Sequence, residues 1–136
     1  MAAIELYQQS GVIPYRRVQD QLEILLITSI RRGRWIIPKG IVEPHLSPAE
    51  SACKEAWEEA GIAGQVDSKP LGSYQFVKWG GVCQVVVFLL RVETVYDQWP
   101  EQMYRQRQWL IIPEAAQSVE EAGLCNLILK AADHLA

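Results

Sequence analysis

Between Ser47 and Gly61, small and apolar residues return every three or four positions: Ala49, Ala52, Cys53, Ala56, Trp57 and Ala60. That spacing gathers them on one face of a helix. Both ends of the stretch carry helix signals. Ser47 can cap the first turn, Pro48 follows where its missing N–H costs nothing, and Glu50 lies three residues after the cap to complete a capping box. Gly61 ends the segment, as glycine does just past a helix C-terminus. The pattern predicts one α-helix, with Glu55, Glu58 and Glu59 on a face of their own.

Elsewhere the pattern is that of strands. Residues 10–15 and 22–29 read as two strands around a polar turn at 16–21. The run Leu22-Glu23-Ile24-Leu25-Leu26-Ile27 is nearly all apolar, as in a strand covered on both faces. A basic loop then leads to a short strand at Trp35-Ile36-Ile37. Residues 65–78 are extended, with Pro70 and Gly72 marking a break, and Trp79-Gly80-Gly81-Val82 reads as a tight hairpin turn. The return strand at 83–92 is the most apolar of the chain. After a longer connection at 96–105 come a last strand at 106–112, a short helix opened by Pro113-Glu114, a separating Gly123 and a final helix at 124–135. That helix places Leu124, Leu127, Ile128, Ala131 and Leu135 on one side. Strands interleaved with two distant helical regions predict an α/β fold, a mixed sheet with helices on both faces.

Length and composition fit one domain over residues 1–136, with no internal repeat or linker. A net charge of −3 disfavours nucleic acid as a partner and requires any anion site to come from local basic clusters. Cys53, Cys83 and Cys125 are odd in number and widely spaced, which predicts reduced core thiols and an intracellular, cytoplasmic protein. No secretory signal pattern opens the chain. The longest apolar run, 85–90, is far short of the ~20 residues that span a membrane.

The acidic helix carries the candidate chemistry. Like charges three and four residues apart repel, and a hard divalent cation, Mg²⁺ or Mn²⁺, would remove that repulsion. Two basic groups lie nearby in sequence. Arg31, Arg32 and Arg34 precede Lys39, and Arg105 and Arg107 flank Gln106. Arginine forks suit polyphosphate.

Gly40 followed by Lys54-Glu55-Ala56-Trp57-Glu58-Glu59-Ala60-Gly61-Ile62 resembles the Nudix box, the signature of the Nudix hydrolases. The spacing matches without a gap, and two positions depart. Leu46 stands where the box has its first Glu, and Lys54 replaces an Arg, keeping the charge but losing the planar fork. Glu43 lies close enough to stand in for the missing carboxylate. The resemblance implies an α/β/α sandwich and a metal-dependent phosphoanhydride hydrolase. It implies Glu55, Glu58, Glu59 and the Gly40 carbonyl as ligands for Mg²⁺ or Mn²⁺, with Lys54 orienting the glutamates. The catalytic base stays open between these glutamates and a carboxylate on a distant loop, Glu101 being one candidate.

Ser29 with the basic loop, Trp35-Ile36-Ile37-Pro38, Trp99 and Arg105-Gln106-Arg107-Gln108-Trp109 are similar to the diphosphoinositol polyphosphate phosphohydrolase branch, which includes diadenosine polyphosphate hydrolases. That branch implies phosphate contacts at Ser29, Arg31, Arg32, Arg105 and Arg107. Arg34 and Lys39 join the candidates by position. Gln8 and Gln9 stand where the branch carries basic residues. The expected substrate is a small-molecule polyphosphate, either diphosphoinositol polyphosphate or dinucleoside polyphosphate. The alternatives are removal of pyrophosphate from RNA 5′ ends and a Nudix-like binding domain without turnover.

Overall fold

The computed structural model describes residues 4–136. Its mixed sheet follows the order β3-β2-β1-β7-β5, with β4 on β1, β6 on β7 and β8 on β2. The strands are β1 (Leu6–Val18), β2 (Gln21–Thr28), β3 (Trp35–Ile36), β4 (Lys39–Ile41), β5 (Ile62–Val66), β6 (Gly72–Lys78), β7 (Gly81–Val95) and β8 (Arg107–Ile111). Long strands β1 and β7 run parallel at the centre, and the other pairings are antiparallel.

Alternation along β2 builds both cores. Leu25 and Ile27 face helix α1 (Pro48–Glu55) with Val12, Ala52, Ala56, Ala60 and Phe88. Ile24 and Leu26 face α2 (Ile112–Ser118) and α3 (Ala122–Leu135) with Ile13, Val87, Leu124 and Ile128. The nearly unbroken apolar run of β2 is therefore a strand buried on both sides, and the α/β sandwich is the architecture observed.

The hairpin turns follow local chemistry. Val18 pairs with Gln21 across Gln19 and Asp20, both at positive φ, and Lys78 pairs with Gly81 across Trp79 and Gly80, also both positive. Two-residue loops of that kind match the twist of the flanking strands.

The predicted capping box forms. Ser47 Oγ accepts from Glu50 N at 3.1 Å, and Glu50 Oε1 accepts from Ser47 N at 2.9 Å. Ser47→Ala should cost about 1 kcal/mol, or about 3–5 °C in Tm for a chain of this size, read by calorimetry.

Several expectations need correction. The segment 48–60 is not one α-helix: α1 ends at Glu55, and Ala56–Ala60 winds as a π-helical turn before Gly61 at φ 66°. Trp57 is 45% exposed and lies outside the apolar face. Gly123 lies inside α3, where a Cβ would come within 2.7 Å of the Tyr74 Cβ, so it permits close packing and does not separate two helices. The break expected at Pro70 and Gly72 is present, between the end of β5 at Val66 and the start of β6 at Gly72, while β5 begins earlier than expected, at Ile62. All three cysteines are free, but only Cys83 is buried.

Candidate active site

The site forms where β4 passes the end of the acidic segment. Gly40 sits opposite Ser10 in the β1–β4 ladder. A Cβ on Gly40 would lie 2.5 Å from the Glu55 carboxylate, so only glycine lets that side chain lie against the strand. Ser10 is fully buried, and its hydroxyl has no hydrogen-bond partner among the described residues.

Glu59 is buried and held from three sides. Its Oε1 accepts from the backbone N–H of Lys39 at 3.1 Å, its Oε2 faces Arg105 Nη2 at 3.4 Å, and it shares a hydrogen bond with Glu55. Burial pushes the Glu59 carboxyl up to about 8, against the pull of Arg105. Burial likewise raises Glu55, reinforced by Glu58 and Glu101. At neutral pH the pair therefore holds a proton between two carboxylates that desolvation makes unwilling to ionise together.

Glu58 and the two box departures form a second group. Lys54 Nζ meets Glu43 at 2.6 Å and Glu58 at 3.4 Å. Lys54 thus joins Glu58 to Glu43, the carboxylate that sequence suggested as a replacement for the Glu missing at Leu46. Among the described residues, no three acidic, His or Cys side chains already form a closed ligand set. The oxygen-only pair Glu55–Glu59, the Cβ-free cradle at Gly40 and the orphaned Ser10 hydroxyl nevertheless fit a hard divalent cation. Such an ion could displace the shared proton, and Glu58 would have to leave Lys54 to join it.

The structure divides the basic candidates. Arg105 is one-tenth exposed and donates to Glu101 Oε1 at 2.9 Å and to the Thr28 carbonyl at 3.0 Å, besides facing Glu59. Arg107 lies 3.8 Å over the Trp99 ring and donates to the carbonyls of Ala60, Gly61 and Tyr96. Arg34 pairs with Glu120 at 2.8 Å, on the side of α2 and α3. Lys39 sends its ammonium 4.5 Å over Phe76, where burial lowers its pKa and Glu59 opposes the shift. Ser29 accepts from Arg34 N at 3.0 Å and so shapes the basic loop from within. Arg31 and Arg32 are exposed and have no ion-pair partner among the described residues.

Between the basic loop and the 102–106 segment runs a groove of about 540 Å³, floored by Thr28, Ser29 and Arg105. Its rim exposes Ile30 at 55%, Met103 at 91% and Tyr104 at 64%. Sequence reasoning did not find this groove, because Ile30 and Tyr104 lie 74 positions apart and meet only through the β2–β8 pairing.

Comparison with known proteins identifies the family and the fold. The model of the family described as NUDIX domain matches residues 8–125. "Nudix hydrolase 13, mitochondrial" of Arabidopsis thaliana is 36% identical over 128 residues, covering 78% of this chain and 63% of that protein. "Diphosphoinositol polyphosphate phosphohydrolase 2" of Rattus norvegicus is 30% identical over 102 residues, covering 73% and 55%. The chain thus spans less than two thirds of the length of either relative. In fold, the Ap4A hydrolase of C. elegans in a binary complex superposes with a TM-score of 0.79 at 21% identity, over 95% of this chain and 97% of that one. Among the described residues no helix is long and apolar enough to cross a membrane. With the signature's spacing kept from Gly40 to Ile62, Leu46 and Lys54 departing, and a family match over most of its length, the chain belongs to the Nudix family.

Proposed function

We propose that this chain hydrolyses a phosphoanhydride bond in a dinucleoside polyphosphate, with Mg²⁺ or Mn²⁺ held by Glu55 and Glu59, the Gly40 carbonyl and Glu58. The observation that carries this reading is the buried Glu59 beside the half-buried Glu55 packed on Gly40, costly as two anions and suited to a shared cation. When bound, such an ion supplies charge neutralisation at a phosphoryl oxygen and an acidified water. The chain's own residues do the rest. Arg105 and the Lys39 N–H hold Glu59 in one orientation. Glu101 donates its N–H to the Glu58 carbonyl at 3.0 Å and places a further carboxylate near Glu55, where it can accept a proton from the attacking water.

The choice of organic group rests on which cations are engaged. A densely phosphorylated inositol needs many donors at once, yet Arg34, Arg105, Arg107 and Lys54 are already bonded within the protein and Lys39 lies over Phe76. Arg31 and Arg32, exposed between the groove-lining Ile30 and Gly33 and without an ion pair among the described residues, are enough for a short polyphosphate bridge. The apolar rim of Ile30, Met103 and Tyr104 suits a flat base, which stacks on an aromatic ring at about 1–3 kcal/mol. Similarity to the rat diphosphoinositol enzyme supports the inositol reading as second choice. The unpaired cysteines suit a reducing compartment, and we place the protein in the cytoplasm or an organelle matrix.

Turnover of diadenosine tetraphosphate, a diphosphoinositol polyphosphate and triphosphorylated RNA, each with Mg²⁺, decides among these. The dinucleotide should be cleaved with the highest kcat/KM, and Tyr104→Ala should raise its KM about tenfold with kcat within twofold, as loss of one stacking contact implies. Preference for the inositol compound, or a Tyr104→Ala variant with unchanged KM, contradicts the assignment. Binding without product in Mg²⁺ would make the chain a sensor.

A further inference from the structure

Four successive carbonyls at the end of the acidic segment bond to one later stretch of chain. Glu58 O accepts from Glu101 N at 3.0 Å, and Glu59 O accepts from Trp99 Nε1 at 3.1 Å. Ala60 O accepts from Arg107 Nη1 at 2.8 Å. Gly61 O accepts from Tyr96 N at 2.8 Å and from Arg107 Nη1 at 3.3 Å. These are the carbonyls that a helix end leaves without internal partners. Here the 96–101 loop and the first residue of β8 supply every donor.

The loop is itself one bonded unit. The Arg107 guanidinium covers the Trp99 ring at 3.8 Å and donates through Nη2 to Tyr96 O at 2.7 Å. A Cβ on Gly61 would come within 2.6 Å of that ring and 2.8 Å of Arg107 Nη1, so the left-handed glycine and the stacked pair fit only together. Glu59 is consequently fixed twice, through its main chain by Trp99 and through its carboxylate by Arg105 and Lys39 N–H.

We propose that Trp99 and Arg107 are positioning residues: they clasp the π-helical turn so that Glu59 presents its carboxylate beside Glu55 and the Lys39 N–H, and Arg107 does not contact substrate phosphate. A phosphate taking the Nη groups of Arg107 would uncap Ala60, Gly61 and Tyr96 together. The inference rests on the reading of Glu59 as a metal ligand. It also accounts for the π-helical winding, since outside donors replace the α-helical pattern at its end.

The test uses Trp99→Phe, which keeps a ring but removes the Nε1 donor, and Arg107→Lys, which keeps the charge but removes the fork. Mn²⁺ binding to substrate-free protein is followed by electron paramagnetic resonance, beside kcat and KM for diadenosine tetraphosphate. Loss of an outer partner of a metal ligand costs about 10–100-fold. Both variants should therefore weaken Mn²⁺ binding about tenfold or more and lower kcat, with KM within about threefold. Should Arg107→Lys fail to fold, the milder Trp99→Phe carries the test. Wild-type Mn²⁺ affinity in Trp99→Phe overturns the clasp, and so does an Arg107→Lys variant that raises KM while kcat holds. A wild-type protein that binds no Mn²⁺ overturns the metal reading and the clasp with it.

Discussion

Glu59→Gln should lower turnover on the order of 10³-fold, because a metal site contributes several kcal/mol to the transition state and each 1.4 kcal/mol is a factor of ten. Glu58→Gln should also lose orders of magnitude, though its carboxylate begins from an ion pair with Lys54. Both folds should survive. Gln at 59 keeps an oxygen for the Lys39 N–H and removes a group that is costly to ionise. Stability in chelator separates this variant from a merely damaged one. The folded pKa of Glu59 is pushed up to about 8 from an ordinary 4.5, chiefly by burial. Its contribution to stability is therefore fully present below pH 4.5 and is lost as pH rises through about 8. Metal-free wild type should lose Tm over that window, and Glu59→Gln should lose less, ending more stable at pH 8.5. Calorimetry at several pH values in EDTA reads both slopes. Equal slopes would mean that Glu59 carries no buried proton, and unchanged turnover in Glu58→Gln and Glu59→Gln would remove the metal role altogether.

Arg105→Met should damage both stability and catalysis. The guanidinium is one-tenth exposed and joins Glu59, Glu101 and the Thr28 carbonyl. Removing one partner of a buried ion pair commonly costs about 3–5 kcal/mol. The loss here should be nearer about 2–3 kcal/mol, because burial already holds the Glu59 carboxyl up at about 8, so that little uncompensated charge is left at neutral pH. Two carboxylates are then freed to move, so turnover should fall about 10²-fold, in the range of an outer-partner loss. Urea unfolding and steady-state kinetics measure the two effects. A variant as stable as wild type with only a raised KM would make Arg105 a substrate-phosphate ligand.

These two residues also mark how far the sequence was legible. The capping box, the Trp79-Gly80 hairpin and the doubly buried β2 are set by neighbours in the chain, and local pattern suffices for them. The identity of Glu55, Glu58 and Glu59 as a group followed from spacing. What those carboxylates touch did not, because every partner that shapes them is distant: Glu59 meets Lys39 and Arg105, Glu58 O meets Glu101 N, and Glu59 O meets Trp99. The π-helical turn follows from the same long-range bonds, so a periodicity that reads one helix misses it and misplaces Trp57. The arginines are the instructive case. Arg-x-Arg before Trp109 reads as a phosphate clamp, yet Arg105 and Arg107 point to opposite ends of the acidic turn as its counter-ion and its cap. Strand alternation would put residues two apart on one face, but it does not apply here, since Arg107 opens β8 while Arg105 still lies in the preceding loop.

The central claim is that Glu55 and Glu59 share a divalent cation against Gly40, and a crystal soaked in Mn²⁺ and read by anomalous scattering tests it most directly. The account predicts a peak about 2.0–2.2 Å from a carboxylate oxygen of each glutamate, within the range for hard divalent ions, with the Glu55–Glu59 hydrogen bond broken. Mn²⁺ density elsewhere, with those two carboxyls still bonded to each other, would contradict it.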